Sequence, residues 1–277
     1  MVSNVHSYSV NGRDVACLAR GEGVPLVLVH GSLCDYRYWQ WQLRGLGERY
    51  RLLAPSLRHY YPERWDGEGE DFTTRQHVED LLALLENLGE PVHLLGHSRG
   101  GNICLRLALA APERLRSLTL ADPGGDFAAD LFRAAGVAVP AAPVERNRFR
   151  EQALGLIRQG EVEAGLELFV DTVSGAGVWR RSSAHFREMA SDNAMTLIGQ
   201  VQDQPEPLGH AALASLAVPT LLLRGELSPE PFPQVVEALA QALPDARQEI
   251  IAGASHGMNA TRPAAFNRAV LAFVDAH

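Results

Sequence analysis

Short, mostly apolar runs recur along the chain and predict strands. The first is Pro25-Leu-Val-Leu-Val29, and similar runs follow at 51–54, 92–95, 118–121, 219–223 and 248–251. A strand that helices cover on both faces forms a continuous apolar run, as in parallel sheets. Two β-prone runs, 5–10 and 13–20, come before them, and the Asn11-Gly12 pair between these two is typical of a hairpin turn.

Amphipathic helices are predicted between these runs. In the clearest of them, the apolar residues recur at three- and four-residue steps and form one stripe, made of Val78, Leu81, Leu82, Leu85 and Leu88. Similar periods cover 102–111, 235–243 and 263–273. Strands that alternate with helices predict an α/β fold with a mostly parallel sheet.

One long section interrupts this alternation. Residues 126–212 show no convincing buried strand, but they contain helical stretches at 151–159, 162–172 and 183–195, with prolines near both ends. We interpret this section as a helical cap, or lid, inserted between core strands. The whole chain, 1–277, is then a single domain, since α/β folds often reach about 250 residues as one unit.

A G-x-S-x-G pattern with Ser98 at its centre occurs within the segment Gly96-His-Ser-Arg-Gly-Gly101. It lies between a predicted strand and a predicted helix, which is the setting that a nucleophile elbow requires. The sharp turn of such an elbow exposes the serine hydroxyl, and its glycines leave room for neighbouring backbone. Ser98 is therefore the candidate nucleophile.

A late histidine, His256, is the candidate general base. A serine hydroxyl needs a base to become nucleophilic. In folds with this elbow the triad runs serine, acid, histidine along the chain. His256 is the only one of the ten histidines between the last predicted strand and the last predicted helix.

Two backbone N–H groups are expected to form an oxyanion hole. One belongs to Arg99, the residue after the nucleophile, and we assign the other to Ser32, in the loop after the first buried strand. The cationic side chain of Arg99 has two interpretations. It recognises an anionic group of the substrate, or it pairs with a carboxylate, which is the commoner case for a partly buried arginine.

These motifs resemble those of α/β-hydrolase fold proteins of the capped, single-domain serine esterase type. The resemblance rests on His30-Gly31, the elbow at 96–101 and Gly253-Ala-Ser-His-Gly-Met258, and it covers nearly the whole length. It implies hydrolysis of a small to medium, largely apolar carboxylic ester or lactone through an acyl-enzyme on Ser98, without a cofactor. The same triad serves carbon–carbon bond hydrolysis and cofactor-free perhydrolysis, and a small-molecule receptor with little turnover is an alternative of another class.

The triad acid departs from the family pattern. Family members commonly have G-x-x-D after the strand before the last, whereas this chain has Gly225-Glu-Leu-Ser228. Serine does not supply the charge that stabilises an imidazolium. Two carboxylates remain, Asp122 at the end of the run 118–121 and Glu226 on the expected loop. We favour Asp122, because catalytic groups cluster at the carboxyl ends of strands, and Glu226 is the alternative.

Four residues are candidates for substrate binding: Leu33, Tyr36, His59 and Met258. His59 belongs to a bulky segment, 56–61, that stands where the family often has an acidic residue and a Gly-rich turn, and we expect it near the pocket mouth. Further candidates for the lining are Tyr60, Phe127 and Trp179. A helical cap over a sheet is expected to enclose a mostly apolar pocket.

Composition limits the partners. The 277 residues carry a formal net charge of −8 and show no long Lys/Arg run, which disfavours nucleic acid. No stretch approaches about 18 uninterrupted apolar residues, and the first residues form neither a basic leader nor an apolar h-region. We expect a cytoplasmic monomer or homodimer that acts on a small molecule. The three cysteines form no CxxC, which favours reduced thiols, and no metal-ligand spacing is evident.

Overall fold

The computed structural model describes residues 4–69, 71–141 and 143–277, with side chains for all of them except 143–146. Within these residues, eight strands form one sheet: β1 (Asn4–Val10), β2 (Arg13–Arg20), β3 (Pro25–Val29), β4 (Arg51–Pro55), β5 (Val92–His97), β6 (Leu115–Ala121), β7 (Thr220–Gly225) and β8 (Ala246–Ile251). Their order across the sheet is β1-β2-β4-β3-β5-β6-β7-β8. β2 is antiparallel to both neighbours, and all pairs from β4 to β8 are parallel.

Twelve α-helices accompany the sheet in the described residues: α1 (Thr74–Leu88), α2 (Arg99–Ala110), α3 (Ala129–Ala134), α4 (Pro143–Arg158), α5 (Val162–Ser174), α6 (Val178–Arg181), α7 (Ala184–Asp192), α8 (Thr196–Gln202), α9 (His210–Ala214), α10 (Phe232–Ala242), α11 (Met258–Thr261) and α12 (Pro263–Val274). Every strand and helix predicted outside the 126–212 section is present. The predicted α/β fold with a mostly parallel sheet is confirmed.

Strand β3 shows why the apolar runs are continuous. Leu26 and Leu28 pack in the apolar cluster that contains the α12 side chains, whereas Val27 and Val29 pack in the cluster that contains those of α1 and α2. All four side chains are excluded from solvent. Because successive residues of a strand point to opposite faces, a strand with helices on both sides needs an apolar residue at every position.

The described part of region 126–212 contains seven helices, α3 to α9, joined by loops, and one isolated β-bridge that pairs Phe127 with Leu208. Its helices do not form a single layer. α3 and α9 contribute Leu131 and Leu213 to the core cluster beside the sheet. In contrast, α4 to α8 share a separate apolar cluster, which also includes Leu33 from the loop after β3. These five helices are called the cap helices below.

Three chemical features of the described residues complete the fold. No helix among them is long and apolar enough to cross a membrane. Cys17, Cys34 and Cys104 are buried free thiols. No group of three or more His, Cys, Asp and Glu side chains in this part of the chain has an arrangement that could hold a metal ion.

Candidate active site

Ser98 lies at the sharp turn between β5 and α2. Its backbone has φ 53° and ψ −122°, a conformation that is strained for a residue with a side chain. The turn is held from both sides, since the Ser98 N–H donates to the Ala121 carbonyl at 3.0 Å and the Ser98 carbonyl accepts from Gly124 at 2.9 Å. The geometry is that of a nucleophile elbow, which presents the serine at the carboxyl edge of the sheet.

The glycines of this turn are explained by close backbone contacts. A Cβ placed on Gly100 would lie 2.3 Å from the His30 carbonyl oxygen, and one on Gly96 would lie 2.5 Å from the Gly100 carbonyl oxygen. Real Cβ atoms do not approach backbone oxygens so closely, so no larger residue fits at either position without displacing backbone. The first turn of α2 therefore packs directly on the end of β3.

His256 lies in the loop between β8 and α11 and is almost fully buried. Its backbone carbonyl accepts a hydrogen bond from His97 Nε2 at 2.8 Å. Its ring stacks on Phe232, with the ring centroids 4.1 Å apart. These contacts from β5 and α10 fix the backbone and the ring of His256, and His256 borders the same cavity as Ser98.

The structure brings Asp122, and not Glu226, to His256. Asp122 follows β6 and is completely buried, and its Oδ2 lies 3.1 Å from His256 Nδ1. Glu226 is exposed, and its carboxylate accepts a hydrogen bond from the Gly253 N–H at 2.8 Å. Glu226 therefore braces the loop that precedes the histidine.

Ser228 is a site residue whose contribution the sequence did not indicate. Its hydroxyl donates to Asp122 Oδ2 at 2.6 Å and accepts from the Gly225 N–H at 3.1 Å. The serine that stands where relatives have the acid thus contacts the carboxylate that comes from the neighbouring strand. The only signal in the sequence was the departure itself, a serine at the fourth position of G-x-x-D.

Ser32 and Arg99, the predicted oxyanion donors, line one cavity together with Ser98. Arg99 is the first residue of α2, where a backbone N–H has no partner within its own helix. Ser32 lies in the loop after β3, and its hydroxyl donates to Gln200 of α8 at 2.6 Å. Ser32 and Ser98 line the same two cavities.

Two cavities meet at Ser98 and Ser32. We call the first, of about 380 Å³, the Arg99 cavity, because Arg99 lines it together with Thr74, Asn102, Asn147, Arg150 and Asp203. We call the second, of about 480 Å³, the His256 cavity, because His256 lines it together with Leu33, Trp41, Val170, Phe186 and Met189. Phe169 of α5 borders both, so a cap helix separates the two spaces.

The sequence pattern of the alpha/beta hydrolase family matches residues 26–269. The chain belongs to this family. It is therefore a hydrolase, as the motifs predicted, and the predicted resemblance to this family is confirmed.

Relatives of this hydrolase are similar over most of its length. The pimeloyl-[acyl-carrier protein] methyl ester esterase of Aeromonas hydrophila is 27% identical over 261 residues, which cover 92% of this chain and 96% of that protein. RutD of Azorhizobium caulinodans, which is named as a carbamate hydrolase, is 27% identical over 260 residues, covering 91% of this chain and 92% of RutD. Among solved structures, an esterase of Thermogutta terrifontis has a TM-score of 0.76 at 22% identity, over 99% of this chain and 98% of that one. The structural likeness supports the fold.

Burial governs the ionisation of the hydrolase site. Desolvation lowers the pKa of His256 below the ordinary histidine value, so the neutral imidazole that a base requires is favoured. Burial also raises the pKa of the Asp122 carboxyl, and the hydrogen bond from Ser228 opposes this rise. Burial lowers the pKa of His97 to about 3, so this neutral ring donates from Nε2 to the His256 carbonyl.

The side chain of Arg99 pairs with a carboxylate, the second of its two interpretations. Its Nη2 lies 3.5 Å from Asp203 Oδ2 and 3.2 Å from His77 Nδ1. The guanidinium also lies over the ring of Phe72, 5.0 Å from its centroid. The cation is thus held between α1 and the end of α8.

Three of the four residues predicted to bind substrate lie outside the lining of both cavities, and only Leu33 lines one. Met258 is completely buried in the core cluster beneath α12. Tyr36 packs on Tyr61. His59 is buried, with Nδ1 2.9 Å from Glu63 and Nε2 2.7 Å from Asp71.

These three predictions need correction, because a loop position beside a motif does not fix which way the side chain faces. The same correction applies to Tyr60, Phe127 and Trp179. All three are buried in apolar clusters and lie outside the lining of the two cavities. Many of the side chains that do line the cavities come from the cap helices, whose packing the local sequence pattern does not reveal.

Proposed function

We propose that the chain is a serine hydrolase that cleaves carboxylic esters or lactones through an acyl-enzyme on Ser98. The observation that carries the proposal is a chain of three side chains. Ser98 and His256 border one cavity, and His256 Nδ1 lies 3.1 Å from Asp122 Oδ2. A carboxylate on the Nδ1 side holds the tautomer that leaves Nε2 free to accept a proton.

The first half of the reaction forms the acyl-enzyme. His256 Nε2 takes the proton from the Ser98 hydroxyl as its oxygen attacks the acyl carbon. The tetrahedral oxyanion then accepts hydrogen bonds from the N–H groups of Ser32 and Arg99, and the N-terminal end of the α2 dipole favours its negative charge. Asp122 stabilises the imidazolium that forms in this step.

The second half releases the acid. His256 gives its proton to the leaving oxygen, which breaks the ester bond and leaves the acyl group on Ser98. A water molecule then attacks the acyl carbon, with His256 again taking a proton, and the collapse of this second tetrahedral intermediate regenerates the serine. No step needs a cofactor.

A small to medium, largely apolar substrate fits the two cavities best. Most of the surface that lines the His256 cavity is apolar, with Leu33, Val170 and Met189 among its residues. Two relatives are named for acyl-group hydrolysis, a carboxylesterase and a methyl ester esterase, which supports an ester as the substrate class.

A fluorophosphonate probe tests this proposal directly. The wild-type chain is expected to be labelled at Ser98 and to hydrolyse p-nitrophenyl butyrate, while Ser98→Ala loses both. Ser255→Ala is the matched control, because Ser255 also borders the His256 cavity but its hydroxyl is bonded to the Ser174 carbonyl at 2.7 Å. Labelling that persists in Ser98→Ala, or a wild type that neither reacts with the probe nor hydrolyses the ester, would contradict the proposal.

A further inference from the structure

We infer that this hydrolase binds the alcohol part of its ester in the His256 cavity and the acyl part in the Arg99 cavity. The inference rests on the proposed function and adds an orientation to it. It also names a substrate class, namely an ester of an apolar alcohol with a short acyl chain that carries a neutral, hydrogen-bonding group.

The orientation follows from proton transfer. The oxygen that leaves the acyl carbon must be protonated by the imidazole, so the leaving alcohol lies on the side of the nucleophile where His256 is. His256 lines only one of the two cavities that meet at Ser98. The acyl chain, which stays bonded to Ser98 after the alcohol departs, is then directed into the other cavity.

The His256 cavity suits an apolar alcohol. Its lining includes Val170, Phe186 and Met189. Arg181 also borders it, with Nη2 bonded to the Ala176 carbonyl, and no Asp or Glu is among the described residues that line it. At its edge, Trp41 and Leu227 are 53% and 65% exposed. Large exposed apolar side chains at the mouth of a cavity extend its apolar surface outward. An alkyl chain can therefore continue from the site towards solvent without leaving apolar contacts.

The Arg99 cavity has a more polar lining of mixed charge. Among the described side chains, two arginines and three carboxylates border it: Arg99, Arg150, Asp126, Asp203 and Glu230. Asp203 already accepts from the Thr74 N–H at 2.8 Å and from the Thr74 hydroxyl at 2.5 Å. Since charges of both signs border the same space, a neutral dipolar group gains hydrogen bonds there without the repulsion that either ion would meet.

Neutral amides and a hydroxyl extend this polar lining. Asn147 lies on α4 and Gln200 on α8, so both belong to cap helices, and Thr74 begins α1. Arg99 Nη1 and Asn102 Nδ2, which also belong to this lining, are buried and have no hydrogen-bond partner among the described residues. A site whose buried donors would stay unpaired discriminates strongly against a substrate analogue that lacks a polar acceptor. We therefore expect the enzyme to recognise a polar group on the acyl part of the ester.

Two isomeric esters test the orientation. Pentyl 4-methoxybutanoate has an apolar alcohol and a polar acyl chain, and 4-methoxybutyl pentanoate has the reverse arrangement at the same composition. Wild type is expected to hydrolyse the first with a kcat/KM about tenfold higher or more. Each value is divided by the hydroxide-catalysed rate constant of the same ester, which removes intrinsic reactivity.

Variants assign the preference to the two cavities. Trp41→Ala should lower the isomer ratio several-fold, whereas Ile250→Ala, at an exposed apolar residue outside both cavities, should leave it unchanged. Asn147→Leu should reverse the preference for pentyl 4-methoxybutanoate over its isostere, pentyl hexanoate. Equal or reversed wild-type rates for the isomers, or failure to hydrolyse either while Ser98 still reacts with the fluorophosphonate, overturns the orientation. Loss of that labelling as well would instead overturn the proposed function.

Discussion

At the scale of single residues, Ser228, which stands where the family commonly has an aspartate, and the Asp122 carboxylate form one hydrogen-bonded unit. The hydroxyl donates to the same Oδ2 that faces His256 Nδ1. In a buried site a carboxylate costs less when donors surround it, so the serine offsets part of the desolvation that raises the Asp122 pKa. With the candidate acid directly after β6, the position after β7 is still used, now by a hydroxyl that donates to that carboxylate.

Substituting each candidate acid separates them. We expect Asp122→Asn to lower kcat by up to about 10⁴, because the amide favours the wrong tautomer of His256. Glu226→Gln should stay near wild type, since this carboxylate is exposed and bonds a backbone N–H. Steady-state hydrolysis of a nitrophenyl ester measures both. Loss of activity in Glu226→Gln, with Asp122→Asn as active as wild type, would contradict the assignment of Asp122 as the acid.

Removing the Ser228 hydroxyl should shift the pH profile upward. The bond favours the ionised Asp122, so its loss raises the pKa of that carboxyl, and the carboxylate takes up a proton at a higher pH. The acid limb of kcat/KM in Ser228→Ala therefore moves to higher pH than in wild type. Ser228→Thr keeps a hydroxyl and serves as the control. An acid limb that does not move in Ser228→Ala would show that the bond does not tune the acid.

At the scale of elements, the pairing of β6 with β7 explains why the acid could not be chosen from the sequence. Ala121 pairs with Leu223, and the Asp122 N–H donates to the Leu223 carbonyl at 2.8 Å. The two strands are neighbours in the sheet but lie on either side of the whole 126–212 section in the sequence. Strand runs and helical stripes are local signals and predicted the elements, whereas strand order is a property of the assembled sheet.

The close packing at the elbow predicts that substitution of Gly100 lowers the stability of the protein. Gly100→Ala places a Cβ against the His30 and Val29 carbonyl oxygens, so we expect the free energy of unfolding to fall by about 3 kcal/mol or more. Gly155→Ala is the matched control, because this α4 glycine has no atom within 4 Å of an added Cβ. There the better helix propensity of alanine should raise stability by up to about 1 kcal/mol. Urea unfolding measures both, and a Gly100→Ala variant as stable as wild type would contradict the close packing of α2 on β3.

At the scale of the whole molecule, the candidate site lies where the sheet meets the cap helices. The motifs on the sheet were visible in the sequence, because the elbow and the histidine loop have fixed residue types. The residues that line the cavities could not be predicted from the sequence. The helices α4 to α8 pack around an apolar cluster of their own, and the packing of that cluster decides which of their side chains point towards Ser98. Leu33 and Trp179 show this: both lie in the cap cluster, but only Leu33 lines a cavity.

Substitution of Phe169 tests whether the two cavities are separate, because Phe169 belongs to the cap cluster and borders both of them. If its ring separates the acyl space from the alcohol space, Phe169→Leu joins them, and kcat/KM values for the two methoxy isomers converge while Ser98 remains reactive towards a small fluorophosphonate. Phe149 is the matched control: its ring centroid lies 5.3 Å from that of Phe169, but it lines only the Arg99 cavity. Phe149→Leu should therefore change the discrimination between acyl chains and leave the response to alcohol chain length as in wild type. If Phe169→Leu and Phe149→Leu had equal effects on the discrimination between acyl chains and on the response to alcohol chain length, the two cavities would not be separated by Phe169.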